Sequence, residues 1–203
     1  MQERVIRTQA GFSLIELMVA VTLFAVVMLV AVGALLSLVD ANRKARALES
    51  VMNNLNIAVD GMVRSMRMGN SFNCNAEAVP DPNVGGDCPN GDVLVSFAPF
   101  GSDPNDAGER WVYYFVEGSG ETPGQLWRSR DGGTSGEPIT APEVDIEEVS
   151  FYVVGTIRAN TPTQDLSQPK IVVVIKGTAG GESVRTATTF YIQATAVQRV
   201  LDL

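Results

Sequence analysis

The feature that most constrains this chain is a long run without charge. From Leu17 to Val39, "LMVAVTLFAVVMLVAVGALLSLV", no residue carries a charge. As a helix rising 1.5 Å per residue, the run spans about 34 Å, enough to cross the hydrocarbon core of a bilayer. A single carboxylate, Glu16, stands at its edge within "GFSLIELMVA", residues 11–20. A charge deep in such a helix costs about 2.5–3.5 kcal/mol on insertion scales. The cost is smaller near the end of the run, but the charge still needs a physical reason.

The segment before the run, "MQERVIRTQA", is mostly polar and carries Arg4 and Arg7. It reads as the basic start of a targeting sequence. A secretory signal would end its apolar core at a small-residue cleavage site. Here the apolar run is too long, and Ala31, Gly33 and Ala34 are not followed by a polar start. The apolar segment is therefore expected to be retained. Arg43, Lys44 and Arg46 follow it closely, so charge asymmetry alone does not orient it.

The 203 residues leave room for one medium domain beside a membrane segment. A formal charge of −8 argues against nucleic acid as the main ligand of the bulk surface, while a local basic patch stays possible. There is no histidine. Ser-His-Asp and Cys-His nucleophile pairs are thus excluded, and the commonest metal ligand is missing. No catalytic residue, metal site or cofactor is expected. The two cysteines, Cys74 and Cys88, bound a turn-rich stretch, "CNAEAVPDPNVGGDC". A Cys/His zinc site lacks its remaining ligands. If the domain lies outside the cytosol, the pair is expected to form a disulfide; two free thiols in a loop are the alternative.

After Asp40 a helical period continues. Leu48, Val51, Met52, Leu55, Val59, Met62, Val63 and Met66 recur at spacings of three and four, one apolar stripe on an amphipathic helix. Gly69 marks its end as a C-cap. From Asp92 the period changes to strands: "DVLVSFA", "RWVYYFVE", "GQLWRSR", "VDIEEVSFYVVG", "KIVVVIKG" and "RTATTFYIQATAV". The last two are expected to pair as an antiparallel hairpin. One long helix followed by strands predicts an α+β fold, with the helix packed on an antiparallel sheet. The acidic loop "SDPNDAGE" offers Asp103, Asn105, Asp106 and Glu109, which suits either calcium or Asx turns.

The stretch "GFSLIELMVA" resembles the processing site of type IV pilins and pseudopilins: Gly, then Phe, then an apolar run with Glu five residues after the Gly. The resemblance implies that a prepilin peptidase cuts after Gly11 and methylates the new amine of Phe12. It also makes Glu16 the family's acidic residue. Phe12 and Glu16 stand one helical turn apart, so Glu16 can meet its own amine or that of a neighbouring subunit. Segments follow from this: a leader over 1–11, a transmembrane and assembly helix over 12–39, an amphipathic helix over 40–68, and a globular antiparallel β domain over 69–203.

The C-terminal half is similar to PilW-type minor pilins and to the J-type minor pseudopilin of type II secretion. "GQLWRSR", the strand with Val149, Phe151 and Val153, and the ending "FYIQATAVQR" carry that likeness. It implies a filament subunit without enzymatic activity. The implied partners are the peptidase, other pilin or pseudopilin subunits, an inner-membrane assembly platform, and the bilayer before assembly. DNA is possible as a partner but nothing indicates it. The implied location is the inner membrane with the globular domain outside, then a periplasmic or extracellular filament. A membrane-anchored adhesin or DNA-binding tip protein is the competing reading. For an anchored hydrolase, no pair of carboxylates is singled out.

Overall fold

The computed structural model describes residues 11–75, 86–120, 122–157, 167–179 and 188–199. Residues 1–10, most of the segment between the cysteines, residues 158–166 and the segment between the last two strands lie outside that set. The chain divides into two units, Met1–Ala45 and Arg46–Leu203. One helix, α1 (Leu14–Met68), contributes to both.

In the second unit the predicted stripe is the buried one. Val51, Leu55, Val59, Met62 and Met66 are buried, and Leu48 and Val63 pack partly against the same core. Truncating a buried leucine such as Leu55 to alanine typically costs about 2–5 kcal/mol. The helix stops at Met68, where the Gly69 N–H donates to Ser65 O and Met66 O, both at 3.1 Å. Gly69 is required here by crowding, not by the left-handed backbone of a C-cap glycine, since its φ is not positive. A Cβ on it would stand 2.3 Å from Phe97 Cδ2.

The strands form two antiparallel sheets. The first contains β1 (Asn70–Asn73), β3 (Leu94–Ala98), β4 (Trp111–Val116), β5 (Gln125–Ser129) and β6 (Glu137–Pro138), in the spatial order β1-β3-β4-β5-β6. The second contains β2 (Cys88–Asp92), β7 (Val144–Val154), β8 (Lys170–Ala179) and β9 (Thr188–Val197), in the order β2-β7-β8-β9. The fold is α+β, with the helix packed on antiparallel β-structure. Both sheets contribute to one core, which joins the helix stripe to Phe97, Tyr113, Leu126, Phe151, Val173 and Ile175 among others.

Six strands coincide with the apolar runs in the sequence, and β8 and β9 pair over ten residues as an antiparallel hairpin. Strand β7 changes phase partway. Val144 and Ile146 face the core, then Val149, Phe151 and Val153 do, because the pairing with β8 shifts between Ile146 and Glu148. This bulge puts Glu147 and Glu148 both at the surface, matching the doubled glutamate in "DIEEVS".

Three short strands were not apparent from the sequence. β1 follows the helix directly, β2 begins at Cys88, where the turn-rich stretch ends, and β6 is two residues long. Ser71 in β1 has φ 54°, a left-handed conformation uncommon for serine. Its carbonyl accepts from Arg110 Nη2 at 2.7 Å, and the same nitrogen reaches Ser96 Oγ at 3.0 Å. Ser96 Oγ in turn lies within hydrogen-bond reach of Asn73 Oδ1 and Asn75 O, with one hydroxyl proton for the two acceptors. Arg110 is fully buried, and burial pushes its guanidinium down to about 10. One long cation thus ties the irregular start of the sheet to β3.

Cys74 follows β1 and Cys88 opens β2, and the two are joined in a disulfide with Cα atoms 6.3 Å apart. The bridge links an edge of one sheet to an edge of the other. Replacing both cysteines by serine is expected to lower stability by about 3 kcal/mol in the loop-entropy model. The check is the urea midpoint of the oxidised wild type against the double variant. An unchanged midpoint would mean that the turn-rich segment is ordered without the bridge.

Candidate functional site: the start of the N-terminal helix

Residues Gly11, Phe12 and Ser13 precede α1 without regular structure. Ser13 caps the helix. Its Oγ accepts from Glu16 N at 3.3 Å, and its carbonyl accepts from Glu16 N at 3.2 Å and Leu17 N at 3.3 Å. Ser13-x-x-Glu16 is the spacing of a capping box, a signal that the sequence reading passed over. Glu16 lies in the first helical turn, where the unpaired N–H groups favour negative charge. Part of the reason for this carboxylate is therefore local: it sits where a helix start stabilises an anion.

The junction on its N-terminal side is open. A Cβ on Gly11 would meet nothing within 4 Å, and Phe12 is 83% exposed. Glu16 is itself exposed and shares one helix face with Ile15, Val19, Ala20 and Leu23, which border a shallow hollow. Every large apolar side chain from Phe12 to Val39 is exposed. The hydroxyl of Thr22 inside the run is satisfied by Met18 O at 3.0 Å and Val19 O at 2.9 Å. That self-satisfaction matters in a medium that offers no water.

The second unit uses its charges structurally. Arg128 pairs with Glu137, Arg130 lies 3.7 Å from the same carboxylate, and both guanidiniums sit over the Trp111 ring. The hydrogen bond from Arg128 holds the Glu137 carboxyl below its usual range. Asp131 is held down to about 2 by hydrogen bonds from Ser129 and Ser135, which close the turn after β5. In the acidic loop the carboxylates serve the backbone: Asp103 accepts from Asn105 N, Asp106 from Gly108 N, and Glu109 from Asp103 N. The first two are the Asx turns anticipated as one alternative. Among the described residues no group of three or more His, Cys, Asp or Glu side chains is placed to hold a metal. A local basic patch does occur: Arg64, Arg67 and Arg199 line a hollow of about 330 Å³ with Asp60.

The structure thus places Gly11 and Phe12 just before the helix and Glu16 in its first turn, with Cys74 and Cys88 far along the chain in the second unit. Residues 6–32 match the family described as the prokaryotic N-terminal methylation motif. No curated protein and no solved structure matches the chain. With the capped helix start, the open Gly11–Phe12 junction and the matched residues taken together, the chain carries a prepilin-type N-terminal methylation motif, at the head of a helix long and apolar enough to cross a membrane.

Proposed function

We propose that this chain is a structural subunit of a type IV pilus or a type II secretion-like filament, and a minor rather than a major one. The observation that carries the reading is the uncovered apolar face from Phe12 to Val39, directly behind the methylation motif. A retained helix of this kind needs lipid before assembly and the helices of neighbouring subunits afterwards. In this reading prepilin peptidase cuts after Gly11, leaving a methylated amine on Phe12. The inner-membrane platform then moves the subunit into the filament. The globular domain lies outside the membrane, consistent with a disulfide between Cys74 and Cys88. Glu16 sets axial register by pairing with the Phe12 amine of a neighbour, which avoids an unpaired ion in the low-dielectric bundle. Minor status rests on the likeness of the C-terminal strands to PilW-type and J-type subunits.

The test is quantitative proteomics of sheared surface filaments from cells that make the protein. The mature N-terminal peptide starting at Phe12 is expected there, at a level well below that of the major subunit. A chain found only in membranes, never with filaments, would instead support the anchored adhesin or DNA-binding reading.

A further inference from the structure

The fold buries one cation without a counter-ion. Arg110 is 0% exposed, and burial lowers its guanidinium only to about 10, so it is charged at neutral pH. Among the described residues no carboxylate pairs with it. Its Nη2 donates to two neutral oxygens, Ser71 O and Ser96 Oγ, while Nε and Nη1 are buried with no partner. One residue before Ser71, Asn70 Oδ1 is buried without a partner as well. The segment that closes over this ion is Ser71–Asn75. Asn73 Oδ1 and Asn75 O both converge on Ser96 Oγ, and Asn73 Oδ1 also accepts from Asn75 N at 3.1 Å. Pairing with β3 holds the segment only weakly. It is confined to Asn70 with Ala98 and Asn73 with Ser96, the register shifts between them, and Ser71 is in the left-handed region.

We propose that the Cys74–Cys88 bridge is a redox-sensitive latch: it keeps Ser71–Asn75 closed over Arg110, and its reduction opens that segment while the rest of the domain stays folded. Two opposed terms act on the segment. Phe72, fully buried against Phe97 with ring centroids 5.5 Å apart, favours closure. Dehydration of an unpaired ion opposes closure, and it costs more than the burial of one phenylalanine supplies. Opening gives the guanidinium back to water. The bridge resists this because its far end is fixed. Just before Cys88, the Asp87 carboxylate accepts from Gly155 N at 3.2 Å and Thr156 N at 2.9 Å, and Gly86 N donates to Thr156 Oγ1 at 2.6 Å. Cys74 is therefore tied through Cys88 to the loop after β7. With the sulfurs separated, the segment keeps Phe72 and its short pairing with β3, and loses the one covalent restraint. The inference does not depend on the filament reading.

The test is amide hydrogen exchange of the full-length chain in detergent micelles, with and without excess dithiothreitol. The dithiol closes to its cyclic disulfide and passes two electrons and two protons to the cysteine sulfurs, which become thiols. The chain with both Cys74→Ser and Cys88→Ser reproduces the open state without a reductant and is read in parallel. In the wild type, loss of the bridge is expected to speed exchange of peptides covering 70–75 by about tenfold or more. Peptides covering β8 and β9 are expected to change by less than about threefold. Arg110→Met removes the ion and keeps apolar volume. There the effect of reduction on 70–75 is expected to shrink to less than about threefold. Arg110→Gln, also neutral, is expected to behave in the same way, so the comparison survives if one variant does not fold. Equal exchange of 70–75 in the wild type with and without the bridge would overturn the proposal. So would a wild-type response in the neutral variants, or a reduced wild type in which β8 and β9 are accelerated as much as 70–75.

Discussion

A Gly11→Leu chain is expected to remain uncut in the membrane fraction. The chain itself has no objection to the side chain, since a Cβ at Gly11 meets nothing within 4 Å. A failure of processing would therefore report on the peptidase and not on folding. In the wild type, intact mass is expected to show loss of residues 1–11 and gain of one methyl group. The leader carries Arg4, Arg7 and Glu3, so its removal changes side-chain charge by −1 (two positive and one negative group leave). Normal cleavage of Gly11→Leu would sink the processing assignment. So would wild-type protein that keeps Met1 or is cut near Ala31.

The second large effect is expected for Glu16→Leu: normal insertion and cleavage, with little or no protein in filaments. Insertion should not suffer, because a charge leaves an apolar segment. The helix start should largely survive, because Ser13 Oγ accepts from the backbone N–H of residue 16, which the substitution keeps. Losing the carboxylate's interaction with the helix dipole costs about 0.3–1 kcal/mol. Leaving a neighbour's amine unpaired in the bundle costs more, about 3–5 kcal/mol. Ser13→Ala separates the two roles, because it removes the cap, worth about 1 kcal/mol, and leaves Glu16 in place. The measurement is the ratio of protein in sheared filaments to the cleaved membrane pool. If Glu16→Leu assembles as well as Ser13→Ala, the carboxylate serves only its own helix.

The start of the site was legible in one dimension because its elements are close in sequence. Gly11, Phe12 and Glu16 fall within six residues, and an uncharged run of helical length needs no tertiary partner to be recognised. The Ser13 cap is equally local, since it needs only a serine three residues before Glu16. The core stripe from Leu48 to Met66 was legible for the same reason, as a period of three and four on one helix.

Long-range pairing was not legible. "NSFN" and "CPNGD" have no strand-like composition; they become β1 and β2 because β3 and β7 offer them backbone partners. Nothing next to Arg110 in sequence marks it for burial, and only the fold buries it against Ser71 and Ser96.

The sequence by itself therefore determined the apolar helix, its methylation motif, the amphipathic stripe and six of the strands, because each depends on the chemistry of neighbouring residues. Only the tertiary structure decided that the strands divide between two sheets and that the disulfide joins an edge of each. Those outcomes depend on which backbone hydrogen bonds find partners across the chain, and periodicity along a single segment carries no information about that.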